Sequence, residues 1–384
     1  MHRKVIVYLY HPSSHPVIKN RVESILKMNS ESFDARELYI SKTHKNSLIM
    51  NMLELRLILK LIFGKKGIIH LFDFSFVFPL FIRVLEFRGY EIVYDTGNIH
   101  NETLALLGKK RFLLRIARQL EIKLLKYSDR VVSRGIFLSS RLNLLSKTRS
   151  EIFYIPDPVN VSTFSNTPLS KVILPFQKDD FIIGYSANFQ NITIPNIGVL
   201  PRGWEIVDIL SLLKENGVLA VKALFIGSGK GVESLIQYSK SRNVFNLCHF
   251  SGYVSKTEYV ELLRKIDIGF MEDYDLPAYK SSIGSKVQDY MSAAKVVITG
   301  KTDEREFLLQ AQHELDILFS PLKCKDKTFV NDYIREIYNK LNQVINNKEA
   351  ANNYGKLNQD RAKQLFDLPI FNSKVQSLYK SFIK

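Results

Sequence analysis

A lysine and an aspartate stand one helical turn apart in the segment SSIGSKVQDYM, and together they could bind one ligand. The spacing places Lys286 and Asp289 on the same face of a helix. The Ser/Gly run before them leaves the backbone amides of Gly284 and Ser285 at a helix N-terminus, which favours anions. A diphosphate could accept hydrogen bonds from the amides and the lysine, while the carboxylate accepts them from ribose hydroxyls. The alternative is an ordinary surface ion pair, which the spacing alone favours.

Length and composition describe a globular chain of two domains. The chain has 384 residues, which is longer than a domain with a single hydrophobic core usually is. Of these residues, 46% are hydrophobic and 24% are charged, as in soluble globular proteins. The two cysteines, Cys248 and Cys324, have no metal-ligand spacing and are too few for a disulfide scaffold, which favours a reducing compartment. The apolar runs are too short or too interrupted to predict a secretory signal or a membrane span. We therefore expect a cytoplasmic protein.

The positive charge is concentrated in the first half of the chain. The net charge is +16; residues 1–165 hold 26 Lys and Arg against 14 Asp and Glu, or +12, and the remainder holds 28 against 24, or +4. The segment KKRFLLRIARQLEIKLLKYSDR places Arg111, Arg115 and Arg118 on one helical stripe. This stripe suits an anionic membrane surface or a bound acceptor, and a core helix with solvated basic side chains is the alternative. Nucleic acid ranks last, because aromatic residues are not interleaved with the basic ones.

Apolar runs alternate with helical patterns twice along the chain. Strand-like segments such as KVIVYLY, GIIHLFD and YEIVYDTGN are separated by amphipathic ones, and the alternation restarts at FIIGYSAN. Strands separated by helices pair in parallel, so each half predicts a doubly wound α/β domain. Prolines and polar residues around 160–180 indicate a linker. We therefore expect domains over residues 1–170 and 171–365, with the carboxyl ends of both sheets around a shared cleft.

The order of motifs after residue 180 resembles the donor-binding region of the retaining GT-B glycosyltransferases, which transfer sugars from nucleotide-sugar donors. The family's successive motifs are matched in order by ALFIGSGKGVE, HFSGYV, KIDIGFMEDYDLP, SSIGSKVQDYM and AAKVVITG. The segments QLEIKLLKYSDRVVSRG and EIFYIPDPVNVSTF resemble parts of the family's first domain. The resemblance implies a GT-B fold, an α/β architecture of two Rossmann-like domains facing a cleft. It also implies that a C-terminal helix over residues 366–384 packs back on the first domain.

The resemblance assigns roles to residues of the second domain. Asp289 stands where the family has a ribose-binding glutamate, and Ser281 replaces the glutamate that usually contacts the donor sugar. Arg202 takes the position of a diphosphate-binding lysine, whereas Asn188 replaces an arginine. The implied contacts are Asn188, Arg202, Gly284, Ser285 and Lys286 for the diphosphate, Asp289 for the ribose, Gly227, Gly252, Tyr253 and Val254 for the nucleobase, and Ser281, Ser282 and Ile283 for the donor sugar.

Catalytic candidates come from the first domain. The segment VYDTGNIHNE resembles the family's strand end, but Gly97 stands where a histidine is often found. His100 follows three residues later and Glu102 two residues after that, and both are candidates for contact with the reacting sugar. A histidine that lies in a loop without a role is the alternative for His100.

The resemblance implies transfer with retention of configuration, without a metal or another cofactor. The acceptor hydroxyl would attack from the same face as the departing diphosphate, whose charge the cations and loop amides would stabilise. The acidic run MEDYD, residues 271–275, could hold a metal, but a loop of exposed acids is the simpler expectation.

The expected partners are a nucleotide-sugar donor and a glycan or lipid-linked acceptor, as in capsule, lipopolysaccharide or other cell-surface polysaccharide and glycolipid synthesis. Such a protein would act at the cytoplasmic face of a membrane. Two alternatives remain open. Ser281, Asn188 and Gly97 would also suit a catalytically silent GT-B-like partner subunit, and the same fold can serve a nucleotide-sugar epimerase or phosphorylase.

Overall fold

The chain divides into two units in the computed structural model, which describes residues 4–11, 16–28, 32–39, 47–146, 151–166, 172–280, 284–310, 315 and 317–382. The first unit comprises Met1–Pro158 and Phe366–Lys384, and the second comprises Val159–Leu365. Each unit contains one six-stranded parallel sheet. The double alternation of strands and helices in the sequence therefore corresponds to two α/β units.

The first unit is a parallel sheet with helices on both faces. Its strands are β1 (Val5–His11), β2 (Phe33–Tyr39), β3 (Ile68–Phe72), β4 (Glu91–Thr96), β5 (Arg130–Ser133) and β6 (Glu151–Tyr154). Its helices are α1 (Pro16–Leu26), α2 (Ser47–Ile62), α3 (Phe78–Phe87), α4 (His100–Leu106), α5 (Arg111–Tyr127), α6 (Ile136–Ser146) and, at the end of the chain, α15 (Leu368–Lys380). The strands lie in the order β2-β1-β3-β4-β5-β6.

Alternate side chains of each central strand point to opposite faces of the sheet and pack in two separate hydrophobic cores. In β4, Ile92 and Tyr94 join the core beneath α2, α3, α5 and α6, whereas Val93 joins the core on the opposite face. That second core also contains Phe371 and Val375 of α15, which packs beside α1. The C-terminal helix thus belongs to the first unit, because its apolar side chains cover a sheet face that α1 alone leaves open.

The second unit repeats the architecture with a different strand order. Its strands are β7 (Phe181–Ser186), β8 (Asn191–Ile194), β9 (Gly198–Pro201), β10 (Val221–Ile226), β11 (Cys248–Phe250), β12 (Ile268–Met271), β13 (Val296–Gly300) and β14 (Leu318–Phe319). Its helices are α7 (Val161–Asn166), α8 (Trp204–Glu215), α9 (Val232–Ser241), α10 (Lys256–Lys265), α11 (Ser285–Ser292), α12 (Asp303–Leu309), α13 (Phe329–Ile345) and α14 (Lys348–Phe366). The sheet order is β11-β10-β7-β12-β13-β14, and β8 and β9 form a separate antiparallel hairpin.

The division between the units falls at Pro158, before the predicted boundary at residue 170. The reason is that α7 packs on α10 of the second unit. Residues 161–166, which the predicted boundary includes in the first domain, therefore belong to the second unit. In the part of the chain that the structure describes, every helix is too short or too polar to cross a bilayer.

Candidate functional site

The second sheet has a switch point at β7, where the chain order reverses. From β7 the chain moves outward to β10 and β11 and then returns to β12 on the other side of β7. In doubly wound sheets, ligands bind beyond the carboxyl ends of the strands at such a point. The loop after β7 is fixed to the loop after β10, since the amide of Phe189 donates to the carbonyl of Ser228 at 3.0 Å.

Two glycines allow these loops to approach closely. Gly227 and Gly229 have φ angles of +129° and +151°, a region that residues with side chains rarely adopt. A Cβ atom at either position would overlap the carbonyl oxygen of Ala187 or of Phe189. The glycines of the segment ALFIGSGKG are therefore required by the backbone packing at the switch point.

An open cavity of about 570 Å³ lies at these loops. Its lining residues are Asn188, Gln190, Asn191, Gly229 and Lys230. Four of them, Asn188, Gln190, Asn191 and Lys230, have exposed side chains. Asn188 thus lies at the cavity. Lys230 is a cation at the same cavity that the sequence reasoning missed.

One buried carboxylate, Glu272, holds two of the predicted cations together. It directly follows β12 and is 1% exposed. Its Oε1 accepts hydrogen bonds from Nε and Nη2 of Arg202, both at 2.8 Å. Its Oε2 accepts one from Nζ of Lys286 at 3.1 Å. Residues that lie 84 positions apart in the chain (286 minus 202) therefore meet at a single acid.

The electrostatics of this triad follow from its burial. Burial alone would raise the pKa of Glu272, but the charges of Lys286 and Arg202 outweigh it and hold that pKa well below its usual range. The charge of Glu272 in turn raises the pKa of Arg202. Burial lowers the pKa of Lys286 to about 8, and Glu272 opposes this decrease. With both cations charged, the triad has a net charge of +1 and can attract an anion.

Lys286 is also positioned by an aromatic ring and by the start of α11. Its Nζ lies 4.1 Å from the ring centroid of Tyr185, a cation–π contact with a fully buried tyrosine in β7. Gly284 precedes the helix with a φ of +72°. Ser285, the first residue of the helix, is exposed. The backbone of α11 thus begins beside the buried triad.

Asp289 lies one turn further along α11 and is bound to the end of β7 through a tyrosine. The hydroxyl of Tyr259 donates to Oδ2 of Asp289 at 2.9 Å and lies 3.2 Å from Oγ of Ser186. The hydroxyl of Tyr290 accepts a hydrogen bond from the Ser186 amide at 2.9 Å. The Asp289 carboxylate is therefore held in place while part of the side chain stays accessible to solvent.

The loop after β11 joins the same edge of the sheet. The amide of Gly227 donates to the carbonyl of Gly252 at 3.1 Å. Tyr253, the next residue, is 85% exposed, and Val254 is partly buried. The residues predicted to contact a nucleobase therefore lie on two hydrogen-bonded loops at the switch point. The three predicted donor-sugar residues, Ser281, Ser282 and Ile283, lie outside the described residues.

Two of the three acids in the run after β12, Glu272 and Asp273, are buried and Asp275 is exposed, so the expectation of an exposed acidic loop was wrong for the first two. Glu272 belongs to the triad, and Oδ2 of Asp273 accepts a hydrogen bond from Nη1 of Arg305 at 2.6 Å. The buried Glu205 lies near this run and accepts a 2.5 Å hydrogen bond from the hydroxyl of Tyr274. Burial and the charge of Glu272 raise the pKa of Glu205 to about 8. Within the described residues, no group of three or more His, Cys, Asp or Glu side chains is arranged to hold a metal ion.

The two catalytic candidates lie in the first unit and are both engaged. The His100 ring stacks on Phe74 with a centroid distance of 4.2 Å, and burial lowers its pKa to about 4, so the imidazole is neutral at pH 7. Oε1 of Glu102 accepts a 2.5 Å hydrogen bond from Nη2 of Arg141. Glu102 is therefore part of an ion pair, whereas His100 stays partly exposed.

A second charged cluster lies at the carboxyl ends of the first sheet. Asp95, fully buried at the end of β4, forms ion pairs with Arg21 at 2.5 Å and Arg134 at 2.8 Å. Nε2 of His70 lies 3.3 Å from the same carboxylate. Burial favours the neutral form of Asp95, but Arg21 and Arg134 lower its pKa well below the usual range. This cluster was not predicted, because its members come from four separate segments of the chain.

The basic stripe on α5 is solvent-exposed. Arg111, Arg115 and Arg118 all have exposed side chains, while Ala117 and Leu124 of the same helix are buried in the core. The helix is therefore amphipathic, with its arginines on the outer face.

Solved structures resemble this chain over nearly its whole length, although no protein-family sequence model and no curated protein sequence matches it. HepE from Anabaena in complex with UDP gives a TM-score of 0.65 at 13% identity, covering 99% of this chain and 100% of its own. HepE was also solved with UDP-glucose. Sucrose-phosphate synthase from Thermosynechococcus elongatus gives a TM-score of 0.70 at 14% identity, covering 99% of each chain. WaaG, a glycosyltransferase involved in lipopolysaccharide biosynthesis, gives 0.62 at 11%, covering 98% of this chain and 99% of its own.

Proposed function

We propose that this chain, which has the GT-B fold of two Rossmann-like domains, is a glycosyltransferase that moves a sugar from a nucleotide-sugar donor to a glycan or lipid-linked acceptor. The observation that carries the proposal is the pairing of Arg202 and Lys286 on Glu272, one helical turn from Asp289, at the switch point of the second sheet. A nucleoside diphosphate carries negatively charged phosphates, which the two cations can bind, and ribose hydroxyls, which can donate hydrogen bonds to the Asp289 carboxylate.

The donor diphosphate is assigned to Arg202, Lys286 and the first amides of α11 at Gly284 and Ser285. Arg202 is 31% exposed at its side chain and keeps its remaining guanidinium nitrogen for a ligand. Asn188, in the cavity with Lys230, adds a hydrogen-bonding amide there. The family has an arginine where this chain has Asn188, and Lys230 provides a positive charge at the same cavity in place of that arginine.

The nucleoside is assigned to the remaining loops. Asp289 accepts hydrogen bonds from the ribose hydroxyls, and the Gly227 and Gly252 to Val254 backbone borders the base. Ser281, Ser282 and Ile283 are assigned to the donor sugar by resemblance alone. The complexes of HepE with UDP and UDP-glucose support a uridine nucleotide as the first candidate.

The proposed reaction retains the anomeric configuration and uses no metal. The bond between the anomeric carbon and the diphosphate oxygen breaks as the acceptor oxygen bonds to the same face, and the proton of the acceptor hydroxyl passes to the departing diphosphate. Arg202 and Lys286 stabilise the negative charge that develops on the diphosphate, the task that a divalent cation performs in other sites. His100 and Glu102 remain candidates for contact with the reacting sugar, His100 as a neutral imidazole.

The proposal includes a place in cell-surface polysaccharide or glycolipid synthesis, at the cytoplasmic face of a membrane. The basic first half of the chain and the exposed arginines of α5 support this location, because acceptors of that class are presented by anionic lipid surfaces.

Calorimetric titration with UDP, GDP, ADP and CMP tests the donor site. We expect one nucleotide to bind, and we expect Lys286→Ala and Asp289→Ala each to weaken it by about tenfold, the loss of one charged hydrogen bond. Lys325→Ala and Asp332→Ala, which remove exposed charges of the same unit far along the chain, serve as matched controls. Binding of none of the four nucleotides would contradict the proposal. Binding without sugar transfer to any acceptor would favour a silent partner subunit, and epimerised donor would favour an epimerase.

A further inference from the structure

A carboxylate and a guanidinium meet beyond the carboxyl ends of β3 and β5 in the first sheet. Asp73 directly follows β3, and Arg134 directly follows β5. Nη2 of Arg134 donates to Oδ1 of Asp73 at 3.0 Å. Both backbones are attached to the end of β4, since the amide of Asp73 donates to the carbonyl of Asp95 at 2.8 Å. The amide of Arg134 likewise donates to the carbonyl of Thr96 at 3.1 Å. In doubly wound sheets, ligands bind at this edge.

The guanidinium of Arg134 is buried and keeps one nitrogen for a ligand. Arg134 is 7% exposed, and its Nε donates to Oδ1 of Asp95 at 2.8 Å. Among the residues that the structure describes, Nη1 donates to none. This nitrogen lies beside the partly exposed Gly97, where an added Cβ atom would be 3.2 Å from it. A buried donor without a partner is costly, so a ligand that accepts a hydrogen bond from Nη1 would be favoured.

Asp73 has an uncommon backbone conformation at the same place. Its φ is +60°, a region that residues other than glycine adopt only rarely and that is common at ligand sites. Its side chain is 30% exposed. Arg134 contacts Oδ1, and no donor in the described part of the chain contacts Oδ2. The pair therefore presents one hydrogen-bond acceptor and one donor.

Aromatic rings lie in the loops next to this pair. Phe76, three residues after Asp73, is 37% exposed, and its ring centroid is 4.9 Å from that of Phe74. The ring of His100, in the segment after β4, stacks on Phe74 and is 6.3 Å from Phe76 at an angle of 80°. Ligand sites commonly combine such apolar surfaces with a few fixed polar groups.

The charges around the pair do not favour an anion. The Asp95 cluster and its neighbours comprise two guanidinium groups and three carboxylates, from Arg21, Arg134, Asp73, Asp95 and Asp157. Burial lowers the pKa of His70, so its imidazole is neutral at pH 7. The net charge is therefore −1 (two minus three). A sugar hydroxyl, which both donates and accepts hydrogen bonds, fits the pair better than a phosphate or a carboxylate does.

We propose that Asp73 and Arg134 bind two hydroxyls of a neutral sugar ring. One hydroxyl donates to Oδ2 of Asp73, and the other accepts a hydrogen bond from Nη1 of Arg134. The apolar face of the ring lies against Phe76 and His100. Identifying this ring as part of the acceptor rests on the proposed function, since the donor is assigned to the second unit. The site selects against acceptors that carry an anionic group at this position.

Saturation-transfer difference NMR with methyl glycosides tests the site on the full chain without nucleotide. The neutral probes are the methyl glycosides of glucose, galactose, mannose and N-acetylglucosamine. The anionic probes are the methyl glycosides of glucuronic and galacturonic acid, which replace a hydroxymethyl group by a carboxylate. We expect at least one neutral glycoside to bind, and we expect both anionic probes to bind at least about fivefold less tightly than it.

Three substitutions locate the binding. Asp73→Ala removes the acceptor oxygen, and Gly97→Ala places a methyl group against Nη1 without changing any charge. Each should weaken binding of the neutral glycoside by about tenfold, the loss of one hydrogen bond to a charged group. Asp73→Asn keeps an oxygen that accepts hydrogen bonds but removes one negative charge. It should therefore reduce the preference for the neutral over the anionic probes by about fivefold.

Asp34→Ala is the matched control, since it removes the acid of another ion pair of the first unit. Asp34 is 2.8 Å from Arg36 and lies near the amino end of β2, at the opposite edge of the sheet. This variant should bind the glycoside as the native chain does, and urea denaturation checks that every variant is folded. The proposal is overturned if no neutral glycoside binds or if the anionic probes bind as tightly. It is also overturned if folded Gly97→Ala and folded Asp73→Ala both bind like the native chain.

Titration of the same variants with UDP distinguishes this proposal from the proposed function. We expect the variants to bind the nucleotide with unchanged affinity, because their residues lie in the first unit and the donor site lies in the second. Glycoside binding without nucleotide binding would leave the sugar site standing and contradict the donor site. Nucleotide binding without glycoside binding would do the reverse.

Discussion

Replacing Glu272 by glutamine should make nucleotide binding depend more steeply on pH. Glu272 contacts Arg202 at 2.8 Å and Lys286 at 3.1 Å, and its charge opposes the effect of burial on the lysine. Burial nevertheless lowers the pKa of Lys286 to about 8. Glutamine keeps the shape of the side chain but removes its charge. The lysine of the variant should therefore lose its proton at a lower pH than the lysine of the native chain.

The size of the effect follows from the lost charged hydrogen bond. Such a bond contributes about 1.5–3 kcal/mol, and one pKa unit corresponds to about 1.4 kcal/mol, so the pKa of Lys286 should fall by about 1–2 units. At about pH 8 the native lysine is about half protonated, whereas the variant lysine is at most about one-tenth protonated. A diphosphate binds the charged form. The variant should therefore lose about tenfold more affinity than the native protein between about pH 6 and pH 8.

Calorimetric titration of UDP over this pH range measures the effect. Each affinity is normalised to its value at about pH 6, where the native lysine is charged and at least about half of the variant lysine is, because removal of the carboxylate also frees the two cations for the ligand. Combining Glu272→Gln with Lys286→Arg should flatten the profile, since arginine keeps its proton. Glu349→Gln, on an exposed part of α14, is the matched control. Parallel profiles for the native protein and Glu272→Gln would refute the reasoning.

Two further predictions concern protonation and metal. Burial raises the pKa of Glu205 from 4.5 to about 8, so the folded state retains a proton that the unfolded state releases. The free energy of unfolding should therefore decrease as the pH rises from about 5 to 8. In urea denaturation, Glu205→Gln should make this decrease smaller by about 2–4 kcal/mol. An equal decrease in the native protein and the variant would contradict the assignment. EDTA should leave nucleotide binding and sugar transfer unchanged, because Arg202 and Lys286 supply the positive charge. Loss of activity in EDTA with recovery in manganese would show that a metal is required.

The repeated α/β architecture was predictable because buried parallel strands are continuous apolar runs. FIIGYS and VVITG are examples, and both are fully buried as β7 and β13. Strand β2, with the sequence FDARELY, was not predicted, since it lies at a sheet edge and carries polar residues along its length. The β8–β9 hairpin was missed for a similar reason. Its segment, residues 191–201, is rich in Asn, Gly and Pro and reads as a loop.

The candidate site was predictable only where its residues are close together in the sequence. Lys286 and Asp289 lie on one helix, and the i,i+3 spacing placed them together. Glu272 was missed because its partner Arg202 is 70 residues away (272 minus 202), a separation that local pattern cannot bridge. The burial of Glu272 and Asp273 was not predictable, because the pattern of a single sequence does not reveal which acids pair with a buried cation. The Asp95 cluster was missed for the same reason.

The most direct test of the donor site compares UDP with UMP on three proteins: the native chain, Lys286→Ala and Asp289→Ala. The two ligands differ by the second phosphate, so Lys286→Ala should reduce the preference for UDP by about tenfold. Asp289→Ala should weaken both ligands equally and leave that preference intact, since both carry the same ribose. If both variants bind UDP and UMP as tightly as the native chain, then the diphosphate and the ribose do not lie on α11, and the central claim fails.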